Sequence, residues 1–253
     1  MTPPISIGGD DVSEITVGGE QVQEVTADGD VVWAASDPPT DGLVLHYSMD
    51  SATISGDTLT DESSYNNDGT INGATTGVTG VENEALYFDG TDDNVSVPHD
   101  ASLNVGSGLT LSLWTYRTGR GGVNPRIWQK ESFNSGYSFL QDGSINDGDQ
   151  SMSFIVADSN NNDYRIDDTQ AIPLDVWTHY VGVYDGGEQR LYRDNTVVGS
   201  TTWSDTIHKN TGDVAIGSVN GSDDVFDGRL DEFRIYERAL SDSEIQTLFE
   251  EGG

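Results

Sequence analysis

The stretch Phe226–Phe249, FDGRLDEFRIYERALSDSEIQTLF, reads as a strand, a turn and a short closing helix. From Leu230 the residues alternate, so Asp231, Phe233 and Ile235 are expected on one face and Leu230, Glu232 and Arg234 on the other. Phe233 and Ile235 mark the first face as buried, and Asp231 should point the same way. A carboxylate facing inward needs either a cation or several backbone donors. Ser241 and Glu244 then form a capping box, Ile245, Leu248 and Phe249 follow at helical spacing, and a glycine pair ends the chain.

Working outward, the chain from Gly42 consists of short runs of Val, Ile, Leu, Tyr and Trp between Gly, Asn, Asp and Ser loops. Only the last turns look helical, so the expected class is all-β, a sandwich or barrel. Residues 1–33 differ. Ile7-Gly8-Gly9, Val17-Gly18-Gly19 and Ala27-Asp28-Gly29 recur at a period of ten, with VSEITV, VQEVTA and VVW between them. Gly-Gly and Asp-Gly accept positive φ in hairpin turns, which predicts a small N-terminal β-meander. So little apolar surface cannot stand alone, and the meander reads as an anchoring arm or as an extension of the main sheet. Residues 34–41, with Pro38 and Pro39, form a stiff linker.

The net charge is −33, from 31 Asp and 13 Glu against nine Arg and two Lys. Such a surface repels itself in dilute buffer and is tolerated in molar salt, where the Debye length is about 3 Å. It fits a protein of a hypersaline medium or, more plainly, an acidic surface protein. No basic patch exists to bind nucleic acid through phosphates. Without cysteine there is no disulfide, thiolate metal site or cysteine nucleophile. The N-terminus lacks the basic and apolar regions of a secretory signal, and no run reaches the roughly 18 apolar residues of a membrane span.

Six pieces of the chain resemble, in order, a laminin-G-like domain of the concanavalin A-like lectin/glucanase superfamily. They are GLVLHYSMD (42–50), DESSYNNDGTINGA (61–74), ALYFDGTDDNVSVP (85–98), LTLSLWTYR (109–117), WTHYVGVYDGGEQRLYRDNTVVG (177–199) and DVAIGS (213–218), with the opening stretch completing the series. The resemblance implies a two-sheet antiparallel jelly-roll sandwich with a C-terminal helix over 42–253. The meander lies outside it and resembles short segments of tailed-virus structural proteins.

Three kinds of chemistry have candidates. Loop 61–69 offers Asp61, Ser63, Ser64, Asn66, Asn67 and Asp68 as hard oxygen donors of the sort calcium takes, though not at EF-hand spacing. The resemblance implies a Ca2+ ligand set of Asp61, Asn67 and Asp231, with Asp50 as a further member; the alternative is that Asp231 accepts backbone N–H bonds. For a glycan surface, Trp128, Tyr137, Tyr164 and Trp203 lie in polar, loop-like stretches and could stack on sugars, whereas Trp114 and Trp177 fit strand patterns and are expected in the core. For catalysis, the Glu-x-Asp-x-Glu strand of glucanases is absent, LDEFRIYE has the wrong register, and the four histidines have no metal spacing. His179 reads as structural. Asn94 and Asn220 head glycosylation sequons.

The expectation is a non-enzymatic virion structural protein of a tailed virus of a halophilic archaeon, as capsid decoration or tail fibre. It would be made in the host cytoplasm and act in the extracellular particle. Residues 1–33 would meet other virion proteins, in a homo-oligomer, and the jelly roll would project toward host surface glycans, with no nucleic acid bound and no membrane inserted. The alternative is a secreted or cell-surface carbohydrate-binding module of a haloarchaeon.

Overall fold

The computed structural model describes residues 37–252, apart from 123, 131–134, 146–148 and 219–223, together with the backbone of four short strands between 16 and 34. The side chains of 142–145 and 149 lie outside that description. So do the expected strand before Thr16, the Gly8-Gly9 turn and the sequon at Asn220.

The strands run in chain order. The first four are β1 (Thr16–Val17), β2 (Glu20–Gln21), β3 (Glu24–Ala27) and β4 (Asp30–Ala34), paired as β1 with β2 and β3 with β4. Then come β5 (Leu43–Tyr47), β6 (Ile54–Ser55), β7 (Thr58–Leu59), β8 (Gly69–Asn72), β9 (Thr75–Thr79), β10 (Glu84–Asp89) and β11 (Asn94–Val97). The middle of the chain gives β12 (Leu109–Arg117), β13 (Arg126–Lys130), β14 (Tyr137–Ile145), β15 (Asp149–Ala157) and β16 (Asp163–Ala171). The last part gives β17 (Trp177–Tyr184), β18 (Glu188–Arg193), β19 (Thr196–Thr202), β20 (Val214–Ile216), β21 (Asp227–Tyr236) and the helix α1 (Asp242–Glu251).

Two antiparallel sheets result. One has the order β19-β18-β17-β12-β21-β10-β9, with β5 also paired to β21; the other has the order β16-β15-β14-β13-β20-β11-β8-β7-β6. Their inner faces enclose one core. β12 shows why: Leu109, Leu111 and Leu113 point inward, and Thr110, Ser112, Trp114 and Tyr116 point the other way. That outer face is also partly closed, because α1 lays Ile245 and Leu248 on Val181, Val183, Tyr192 and Tyr236. The capping box is present, with Ser241 accepting from the Glu244 amide and Glu244 accepting from the Ser241 amide. This is the jelly-roll sandwich with a C-terminal helix that the sequence predicts.

The alternation in β21 differs from expectation at one place. Leu230 and Phe233 both reach the inter-sheet core, although they are three residues apart. The ladder with β12 shifts register between Ser112 and Trp114, and Glu232 has φ of 47°. This β-bulge inserts a residue and resets the phase. Asp231 pairs with Trp114 and therefore lies on the outer face, opposite Phe233 and Ile235.

Candidate functional site

The four acids and amides expected to share a calcium ion fall into separate hydrogen-bond networks. Both carboxylate oxygens of Asp61 are taken: Oδ1 by the amides of His46 and Ser63 (2.9 Å each), Oδ2 by Ser63 Oγ (2.7 Å) and the Asn67 amide (2.8 Å). Asn67 turns its side-chain NH2 to the Val44 carbonyl (2.9 Å) and Ser102 Oγ (3.0 Å), and its backbone carbonyl accepts from the Tyr47 hydroxyl. Asp50 accepts from the Glu84 amide at 2.9 Å, on the same 80–84 turn that meets Asp231.

Asp231, fully buried, accepts from the amides of Val81 (2.8 Å), Glu82 (3.3 Å) and Glu232 (2.9 Å). A side chain at Gly80 would collide with its Oδ2, so only glycine lets the 80–82 turn wrap the carboxylate this tightly. Burial, and then the neighbouring Glu232 charge, push Asp231 up to about 8 against the pull of those three donors. Asp50, Asp61 and Asp231 do not bring their oxygens within 4.8 Å of one another, so with Asn67 they do not make a shared calcium site. Of the two readings of Asp231, backbone donors is the one this geometry matches.

Among the described residues, one group of three acids does bring its oxygens within 4.8 Å of one another: Asp89, Asp92 and Asp93 in the β10–β11 turn. Asp93 there accepts from the Asp89 amide at 2.9 Å.

The four aromatic candidates separate into two stacked pairs. Trp128 and Tyr137 stack at 4.7 Å, but Trp128 has no exposed surface, lies 5.8 Å from the Phe233 ring and belongs to the core; Tyr137 is 3% exposed and donates to the Leu103 carbonyl. This corrects the expectation of a sugar surface at these two, since a ring packed on protein presents no face to a ligand.

Tyr164 and Trp203 stack at 4.4 Å and 6°, and Trp203 stacks again on Tyr184 at 3.8 Å and 4°. Tyr184 is fully buried, Trp203 is 7% exposed and Tyr164 is half-buried, so Tyr164 forms the outer end. Gln189 anchors the Trp203 indole N–H at 2.9 Å, and the Asp205 carbonyl anchors the Tyr184 hydroxyl at 2.7 Å.

A polar rim borders this stack. Asp158 accepts from the amides of Asn160 (2.8 Å) and Asn162 (2.9 Å), from the Asn162 side chain (2.9 Å) and from the Tyr164 hydroxyl (3.3 Å). Asp205 Oδ2 accepts from Ser159 Oγ (2.9 Å) and Asn160 Nδ2 (2.8 Å). Burial pushes Asp158 up, but the Asn162 and Asn160 donors outweigh it and hold the carboxyl below its ordinary value. Burial and the Asp158 charge push the Tyr164 hydroxyl up. The donors of this rim and the carboxylates that take them are largely spent on one another, so it offers a ligand mainly the side-chain oxygens of Asn160 and Asn162 and one ring. Tyr184, Asp158 and Asp205 were not singled out from sequence. The turn-rich ADSNNND at 157–163 was the available signal.

Of the two tryptophans expected in the core, Trp114 is buried, but under α1 between His179 (4.9 Å) and Phe249 (5.7 Å). Trp177 is half-buried and lies beside Tyr116. His179 bonds Ser112 Oγ at 2.8 Å, a spacing suited to a base and a nucleophile, yet both are sealed beneath the helix. Burial, then the Arg234 charge, push His179 down to about 3 and keep it neutral. Nearby, Arg234 bridges Glu232 (2.6 Å) and Glu251 (2.7 Å), and Glu232 also meets His46 (3.0 Å), tying α1 to β21.

A family model described as the Concanavalin A-like lectin/glucanases superfamily, of laminin-G type, matches residues 89–246. The chain belongs to that superfamily. No curated protein sequence matches it. Among solved structures, the binding domain of Paraclostridial Mosquitocidal Protein 1 is similar with a TM-score of 0.66 and 19% identity, over 83% of this chain and 52% of that one. Domain 4 of AbnA, an extracellular arabinanase from Geobacillus stearothermophilus solved with arabinotriose, gives 0.64 and 23%, over 81% and 97%. The ligand-binding domain of botulinum neurotoxin serotype D, solved with N-acetylneuraminic acid, gives 0.64 and 15%, over 83% and 51%. The chain spans about half the length of the first and third of these. At such identities the likeness shows the shared fold.

Proposed function

We propose that this chain is a non-catalytic, lectin-like module that binds a neutral glycan at the Tyr164–Trp203 edge. The observation that carries the reading is the stack itself: a half-buried tyrosine backed by two further rings and bordered by Asp158, Asp205, Asn160 and Asn162. Sugar rings stack on such faces and donate hydroxyls to amide oxygens such as those of Asn160 and Asn162. Support comes also from the arabinanase module, which was solved with arabinotriose, a neutral saccharide. The absence of the glucanase carboxylate strand and the sealing of the Ser112–His179 pair favour binding without turnover. A panel of immobilised neutral oligosaccharides, arabinotriose included, tests this in molar KCl. The full chain should bind at least one, and Y164A should lose it; binding unchanged in Y164A would refute the assignment.

The setting in which the module works is part of the proposal. The Asp-rich charge and the repeated N-terminal β-segment support a virion structural protein of a haloarchaeal tailed virus, with residues 1–33 as the assembly arm and the jelly roll facing host glycans. The arabinanase similarity, over nearly all of that domain, supports instead a secreted carbohydrate-binding module. Light scattering of the full chain and of a chain begun at Asp37 separates them. An oligomer formed only by the full chain favours the virion arm, and two monomers favour the secreted module.

A further inference from the structure

The helix leaves part of the eight-stranded sheet's outer face bare. α1 covers the rows up to Trp114, and it ends so close above that ring that a Cβ on Gly252 would lie 2.7 Å from it. The next outward row crosses four adjacent strands. Trp177 of β17 pairs with Tyr116 of β12, Tyr116 with Arg229 of β21, and Arg229 with Tyr87 of β10. At a strand spacing of about 4.8 Å this row is about 14 Å long. All four side chains are half-buried. The Trp177 and Tyr116 rings lie 5.4 Å apart, and Leu174 and Val176, in the segment leading into β17, are 53% and 52% exposed.

Arg229 gives the row its charge. Arg126, Arg165, Arg190, Arg193, Arg234 and Arg238 each hold a carboxylate oxygen within 3.9 Å. Arg229 makes no such pair among the described residues. It donates to the Thr79 carbonyl at 3.0 Å and lies 5.0 Å over the Tyr116 ring. The acids of the following row turn into their own loops, Asp89 accepting from the Thr91 amide (2.8 Å) and Asp227 from Thr118 Oγ1 (2.7 Å). In a protein with 44 acids and 11 bases, an arginine left without a carboxylate on an aromatic strip is set to receive one from outside.

We infer that the Trp177–Tyr116–Arg229–Tyr87 row is a second ligand surface and that its ligand is a saccharide bearing a carboxylate. The rings take the apolar face of the sugar and the guanidinium takes the carboxylate. Molar salt confines the repulsion of the −33 charge to about 3 Å, while a contact pair with Arg229 survives. The site stands independently of the Tyr164 edge, whose rim offers acceptors and would turn a carboxylate away.

Calorimetric titration of the full chain in molar KCl with trigalacturonic acid and with its methyl ester tests the inference. The acid should bind about tenfold more tightly than the ester, the difference made by a charge-assisted pair. R229Q should abolish that preference, and W177A should lose the acid. W177F, which keeps a ring, should retain binding, and thermal midpoints of all variants guard against misfolding. Equal affinities, a preference that survives R229Q, or no binding of the acid would overturn the assignment. Polyglutamate bound equally well, with Arg229 needed but Trp177 dispensable, would overturn its saccharide part.

Discussion

Two stacked aromatic pairs of similar composition sit in opposite settings in this molecule. Trp128–Tyr137 lies between the sheets, and every ring face there meets protein. Tyr164–Trp203 lies at the end of the β15–β16 hairpin, with one ring half-exposed and acceptors along its border. The difference teaches that burial of the outermost ring, rather than the stacking, decides whether an aromatic pair has a face left over for a ligand.

The sharpest way to break this contrast is truncation on the core side. W128A should lower unfolding stability by about 3–5 kcal/mol in urea titrations and leave glycan affinity of the remaining folded protein unchanged. The buried Asp231 gives a pH-dependent effect of a few kcal/mol at most. Its folded value of about 8 lies above its ordinary value, so its contribution is fully present below about pH 4 and is lost as pH rises through 8. Thermal midpoints of wild type and D231N, compared from pH 4 to 9, should show a decline in wild type beyond that in D231N. Identical slopes would mean that Asp231 is charged throughout.

Smaller still is the helix cap, where S241A should cost about 1 kcal/mol by freeing the Glu244 amide. The cap also depends on acid. Glu244, held down to about 2 first by its Arg238 hydrogen bond, adds stability above its ordinary value that is lost as pH falls toward 2. Least of all should be Y164A, which should change stability by less than about 1 kcal/mol while removing glycan binding. A loss comparable to that of W128A would make Tyr164 a core residue and erase the contrast.

What the sequence made legible was local or periodic. The capping box and the closing helix depend on neighbours a few residues away, and each is found where the residues predict it. Asp231 was misplaced because a bulge is fixed by pairing with β12, a partner over a hundred residues distant. Trp128 looked loop-like because Arg126, Gln129 and Lys130 flank it. Those polar neighbours are themselves buried, with Lys130 held by the Gly212 carbonyl (2.9 Å) and Arg126 by Asp224 (3.5 Å). Trp177 looked like core because its strand is regular, but its side chain lies on the sheet's outer face, in the row just beyond the end of the helix. The calcium set required four residues to converge in space, which spacing along the chain cannot establish.

The most direct test of the central claim is amide chemical-shift mapping of the full chain with the neutral oligosaccharide that binds best. The account predicts the largest shifts at the amides of Asn160, Asn162 and Tyr164 and at the Trp203 indole N–H. Shifts concentrated elsewhere while these four stay still, or no shifts with any neutral glycan, would contradict it.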